Sequence, residues 1–260
     1  MKLSLNTYSI CQEIPFDHLL GILTSNHFDA VEFRCEAGQA HGVELEANPA
    51  RRRELRHRIE QLGLQVSVIS TSQRFESPDP KVRAAAIDRS KRYVELADDL
   101  GASGIRVFGN NFPEGVPRED VVRYVGESLR EIGEFAEGTE VNILLEMHGE
   151  FNYWEYALGA VQIADHACVA LNYNCDERDL VDGSVAFVLG KVGDQLRHVH
   201  LHDLASETYP YLELFGLMKQ RDYQGYLSLE LTYSAGDPDN FVRLEAALYR
   251  SLLARLGEAG

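Results

Sequence analysis

Two glutamates stand inside apolar runs: Glu146 in Ile143-Leu144-Leu145-Glu146-Met147 and Glu230 in Leu227-Ser228-Leu229-Glu230-Leu231. A carboxylate is costly to bury there unless a cation or hydrogen-bond donors meet it. A core Arg or Lys would serve structurally; a metal ion shared by both would serve chemically. A third run, His198-Val199-His200-Leu201-His202-Asp203, carries an imidazole at every second residue. On a strand this spacing puts all three on one face. Carboxylate, imidazole and carboxylate meeting at one point suit a hard-to-borderline divalent ion: Mn²⁺, Mg²⁺, Co²⁺ or Zn²⁺.

Such convergence needs strands whose ends face one another, and the chain supplies them. Apolar, β-branched runs alternate with longer amphipathic stretches throughout. The predicted strands are Lys2–Tyr8, Asp29–Arg34, Leu64–Thr71, Gly104–Phe108, Val141–Met147, Cys168–Asn174, Leu196–Leu201 and Tyr226–Leu231. The predicted helices are Pro15–His27, Pro49–Gly63, Asp79–Leu100, Arg118–Glu137, Trp154–His166, Asp182–Gly193, Tyr211–Asp222 and Asp239–Leu256. Strand-then-helix repeated in this way closes into a (β/α)₈ TIM barrel. An open doubly wound sheet usually carries a glycine-rich turn after its first strand, and LNTYSICQEIP has none. No linker or composition break interrupts the 260 residues, so residues 1–260 read as a single barrel domain.

In this fold function gathers where the strands end. That edge carries Asn6, Glu32, Arg34, Thr71, Asn110, Asn111, Glu146, His148, Asn174, His200, His202 and Glu230. Val199 and Leu201 suit the helix-facing side of strand seven, which turns its histidines inward. His198 lies deepest and reads as a core residue; His200 stands level with the glutamates as the metal-ligand candidate. His202 and His148 are placed to touch substrate. Asn174 closes the fourth corner of the metal set, with Asp176 as the alternative ligand.

The balance of 25 Lys and Arg against 41 Asp and Glu gives a formal charge of −16. No basic stripe offsets it, so nucleic acid and anionic lipid are poor partners. Cys11, Cys35, Cys168 and Cys175 show no CxxC or framework spacing, as in a reducing cytosol. With no signal-peptide core and no membrane-length apolar run, the chain reads as soluble and cytoplasmic. A homodimer is compatible with a soluble enzyme of this kind.

The motifs FDAVEFR, LLEMHGEF, HVHLHD and GYLSLE, in this order, resemble those of the xylose isomerase-like barrels. That superfamily includes ketose 3-epimerases, hydroxypyruvate isomerase, inosose dehydratase and endonuclease IV. The resemblance implies that Glu146, His200 and Glu230 are metal ligands and that Glu146 and Glu230 are the acid/base pair. Members usually carry Asp on strand six with His three residues later; Asn174 and Glu177 are read at those positions here. Endonuclease IV-like members add histidines after strands three and four, and Ser70–Arg74 and Phe108–Phe112 contain none.

The reaction expected is isomerisation or epimerisation of an unphosphorylated ketose or hydroxy-ketone. The ion acidifies a C–H beside the carbonyl, one glutamate takes the proton, and a proton is returned. Asp237 and Asp239 occupy the start of the last helix, where barrels commonly bind phosphate, and would repel it. Asn6, Arg34, Trp154 and Tyr233 join His148 and His202 as candidate substrate contacts. Tyr153 and Tyr209 also flank the mouth. Arg34 and Arg106 could hold a carboxylate or pair with Glu32. Two alternatives share the architecture: a lyase on a keto-polyol or keto-glycoside, and a catalytically silent sugar- or partner-binding barrel.

Overall fold

A computed structural model describes residues 1–232 and 237–258. Eight parallel strands close into a barrel in chain order. They are β1 (Lys2–Asn6), β2 (Ala30–Arg34), β3 (Gln65–Arg74), β4 (Gly104–Phe108), β5 (Asn142–Glu146), β6 (Val169–Asn174), β7 (Leu196–Leu201) and β8 (Tyr226–Leu229). Outside them run α1 (Phe16–Ser25), α2 (Pro49–Gln61), α3 (Pro80–Leu100), α4 (Arg118–Ala136), α5 (Trp154–Ala164), α6 (Ala186–Val192), α7 (Tyr211–Gln220) and α8 (Pro238–Glu258).

Local chemistry sets the helix ends. Asn48 and Asp79 accept hydrogen bonds from the Arg51 and Lys81 amides, and a proline opens each of those helices. Gly101, at φ 69°, ends α3 in the left-handed conformation that glycine adopts without penalty. Each helix buries one stripe; in α4 it is Val121, Val122, Val125, Leu129 and Ile132. Burying a side chain of this size contributes about 1.5–3 kcal/mol, so the layer between helices and strands holds the barrel closed.

Among the departures from the sequence expectation, those of α6 and β8 have clear local causes or consequences. α6 starts at Ala186, because Val181 and Ser184 bridge across a turn in which Asp182 and Gly183 have positive φ. β8 ends at Leu229, which leaves Glu230 one residue beyond the strand, its amide bonded to the Leu201 carbonyl at 2.7 Å. Inside the barrel, Val68, Leu144 and Ala170 form a small apolar floor separate from the outer core. Each lies two residues before a buried polar side chain: Ser70, Glu146 and Asn172. With a side-chain period of two, the polar layer rests directly on this floor.

Candidate active site

At the centre of the polar layer is Glu32, fully buried on β2. Its Oε1 accepts from His200 Nε2 at 2.8 Å and Asn6 Nδ2 at 3.1 Å, and also from the Ser70 hydroxyl. Its Oε2 accepts from His198 Nε2 at 2.8 Å. Burial alone would push this carboxyl up, but the charge and hydrogen bonds of His200 and His198 hold it well below the usual carboxylate range. An ionised carboxylate only accepts, so both histidines carry their proton on Nε2.

His200 then turns Nδ1 toward two more carboxylates: Glu146 Oε1 at 3.5 Å and Glu230 Oε2 at 3.4 Å. Burial disfavours its charge, yet Glu32, Glu230 and Glu146 together raise its pKa well above the ordinary imidazole value. His198 hydrogen-bonds to Glu32, and burial lowers its pKa. Its Nδ1 is buried without a hydrogen-bond partner. The two neighbouring imidazoles are thus shifted in opposite directions.

Glu146 also has a cation. Arg106 Nε approaches Glu146 Oε2 to 2.9 Å. Burial opposes the charge of Glu146, but Arg106, followed by His200 and His148, lowers its pKa to about 2. The core arginine weighed as a structural partner for a buried glutamate is therefore present for Glu146. The approach lies off the N–H axis, so Glu146 Oε2 still receives no hydrogen bond. Asn172 Oδ1 is likewise buried without a donor, while its Nδ2 lies 3.1 Å from His200 Nε2 and 3.2 Å from Nδ1. Ligand atoms of Glu146, His200 and Glu230 all lie within 4.8 Å of one another. Orphaned acceptor oxygens beside an imidazole nitrogen form a donor set that fits a cation.

The other expected residues separate into three groups. Asn6 is buried at the centre, donating to Glu32 and, at 3.3 Å, to Glu230 Oε1. His202 and Asn174 form a layer above, with His202 Nε2 2.7 Å from Asn174 Oδ1 and His202 Nδ1 3.1 Å from the Glu230 carbonyl. Asn174 is thus bonded to His202, and Asn172, one inward step deeper on β6, is the amide beside His200. Asp176 pairs with Arg178 at 2.8 Å and caps a short 3-10 turn. His148 is exposed at the rim, 3.1 Å from Asn110 Oδ1 and against the Phe108 ring.

Arg34 rises half-buried above Glu32 but pairs with no carboxylate among the described residues, unlike the pairing with Glu32 that the sequence allowed; it bonds to Ser70, Cys35 and Ser72. Trp154 packs between helices, against Phe187 and beneath Lys191. Tyr209 is buried, its hydroxyl 3.1 Å from that of Tyr173. Tyr233 lies outside the described residues. Asp237 accepts from the Asp239 amide at 3.1 Å, as expected at the start of α8.

Sequence reasoning placed Glu32 at the strand edge without a role of its own and passed over Asn172. The signal was present for Glu32: AVEFR is an apolar strand with an inward carboxylate, like ILLEM. Asn172 was hidden because the last residue of β6 was taken as the level of the site; Asn174 is in register with His200, whereas Asn172 is in register with Glu146.

The family model for the xylose isomerase-like TIM barrel matches residues 22–252. The chain is 26% identical over 196 residues to fructoselysine 3-epimerase from Shigella flexneri, covering 67% of this chain and 69% of the relative. Its fold superposes on L-ribulose 3-epimerase with TM-score 0.84 and 17% identity, over 99% of this chain and 96% of the other. On 3-keto-D-glucoside 4-epimerase from E. coli the TM-score is 0.79 with 19% identity, over 96% and 99% of the two chains.

Proposed function

Since the chain belongs to the xylose isomerase-like TIM-barrel family, we propose that it epimerises an unphosphorylated ketose or related hydroxy-ketone, with Glu146 and Glu230 transferring the proton. The observation that carries this reading is the approach of two carboxylates to one side of His200, at 3.5 and 3.4 Å from Nδ1. The two structural neighbours that are sugar epimerases and the sequence match to fructoselysine 3-epimerase support the same class.

Glu146, Asn172, His200 and Glu230 would hold a divalent ion. When bound, such an ion polarises a carbonyl and acidifies the adjacent C–H. The chain's own residues supply the rest. Glu32 fixes His200 through Nε2 so that Nδ1 faces the site. Arg106 keeps Glu146 ionised, and Asn6 steadies Glu230 through Oε1. One of the two, Glu146 on β5 or Glu230 beyond β8, can remove a proton from one face of a carbon as a carboxylate, and the other, in its acid form, can give one to the opposite face. His148 and His202 stand at the rim, where they can contact substrate hydroxyls.

The test is deuterium incorporation in D₂O over a panel of ketoses, using metal-loaded protein. Epimerisation delivers one solvent deuterium with a new configuration. A lyase yields an unsaturated product instead. A silent barrel exchanges nothing, and that result would overturn the assignment.

A further inference from the structure

We infer that Arg34 is the anchor for a carboxylate on the substrate, so that the ketose taken by this barrel is an acid sugar or a ketosyl amino acid. The inference rests on the epimerase reading and narrows its substrate class.

The charges inside the mouth are otherwise matched. Glu32 bonds to His198 and His200, Glu146 meets Arg106 and His200, and Glu230 meets His200. Glu36, near Arg34, already serves Arg89 at 2.8 Å and Gln73 at 2.6 Å. Arg34 is the inward charge that forms no ion pair among the described residues. Its chain position is just as defined: Arg34 is in register with Ser70, and Ser70 with Arg106, across three adjacent strands. Being two residues beyond Glu32, it stands about 7 Å higher along the barrel wall. A substrate whose reacting carbons meet Glu146 and Glu230 would extend its far end to that level.

The hydrogen bonds of Arg34 show which edge is free. A guanidinium has five N–H donors. Nη1 donates to the Cys35 and Ser70 carbonyls, and Nη2 donates once, to the Ser72 hydroxyl. Nε–H and one Nη2–H have no acceptor among the described residues. With Ser72 on the Nη2–H that faces Nη1, these two are adjacent and parallel, the two-pronged edge that matches the two oxygens of a carboxylate. The other three bonds hold the group still, so little freedom is lost when a ligand docks. A backbone clamp alone would not need a half-buried cation whose forked edge has no acceptor.

The experiment compares a neutral ketose, its carboxylate counterpart of the same chain length and its phosphate ester. Deuterium wash-in is measured with wild type, Arg34→Gln and Arg34→Lys. The expected wild-type kcat/KM favours the carboxylate by on the order of 10²-fold, as for a site built around a polar group of its substrate. Arg34→Gln should abolish that ratio, and Arg34→Lys, which keeps charge but not the fork, should restore only part of it. Equal use of neutral and carboxylate sugars by wild type overturns the inference, as does preference for the phosphate. Should either variant fail to fold, the wild-type comparison still decides. If no sugar exchanges at all, the epimerase reading fails. Thermal-shift titration of wild type with the three sugars then decides separately whether the carboxylate form is the one bound.

Discussion

Glu32 Oε1 lies 2.8 Å from Nε2 of His200, and neither side chain is exposed to solvent. The contact determines which nitrogen of His200 is free. With Nε2 donating to Glu32, Nδ1 is the nitrogen turned toward Glu146 and Glu230. A carboxylate behind a ligating imidazole also raises its basicity, and losing such a partner typically costs 10–100-fold in metal affinity. Glu32→Gln should therefore weaken Mn²⁺ or Co²⁺ binding by about that factor, read by calorimetric titration with melting temperature followed alongside. Unaltered affinity in a folded variant would leave Glu32 with a packing role only.

The strand-six ligand separates two neighbouring amides. Asn172→Asp adds a full negative charge next to His200 and should tighten metal binding measurably. Asn174→Asp changes a group bonded to His202 and should do less. The order of the two affinities is the readout, and a larger gain at Asn174 would return the ligand role to that residue.

Proton transfer assigned to Glu146 and Glu230 predicts that either Glu→Gln change lowers turnover by about 10² to 10⁴, the usual share of general acid–base catalysis. Metal content must be checked in parallel. Exchange at the wild-type rate in metal-loaded Glu230→Gln would make that residue a ligand alone.

Asp179 gives a pH dependence away from this centre. It is buried beside β6, accepting from Asn152 Nδ2 and the Asp176 amide, and burial pushes its carboxyl up to about 7. The folded chain thus keeps a proton that the unfolded chain releases near pH 4. Its stabilising share is complete below about pH 4 and is lost as pH rises through about 7. At 1.36 kcal/mol per unit this amounts to a few kcal/mol. Asp179→Asn imitates the protonated group, so its melting temperature relative to wild type should climb between pH 5 and pH 8. A pH-independent difference would show that Asp179 stays ionised throughout.

Gly149 tests the loop that presents His148. It has φ 61°, and an added Cβ would lie 2.7 Å from the Asn110 carbonyl oxygen. That same oxygen accepts the Glu150 and Phe151 amides. Gly149→Ala should cost roughly 1–3 kcal/mol and displace His148, as judged by denaturant melts and by KM.

The fold was legible because strand and helix periods repeat without interruption, and β4 and β7 fall where their β-branched runs lie. The glutamate and histidine positions followed from one question: what an apolar strand does with an inward charge. The partners were harder to read. Arg106 meets Glu146 from a strand 40 residues earlier in the sequence, and Glu32 on β2 meets two histidines of β7 across the barrel that the β1–β8 pairing closes. Only the completed circle brings such pairs together. The level of the β6 amide was hidden for a related reason, since strand stagger is a property of the sheet and not of its segments. Trp154 shows another limit: the sequence does not reveal that its ring meets Phe187 between α5 and α6.

The apolar floor of Val68, Leu144 and Ala170 makes the polar layer the bottom of a well with one opening. Isotopes from bulk water can reach the inward carboxylates only through the rim. For the proton transfer proposed above, a bound sugar acts as a stopper, and the hydrogen taken by one glutamate is trapped with it until the sugar leaves. Reversal would then give back the same hydrogen. Recovered substrate should stay largely unlabelled while product, protonated from the opposite glutamate, carries deuterium.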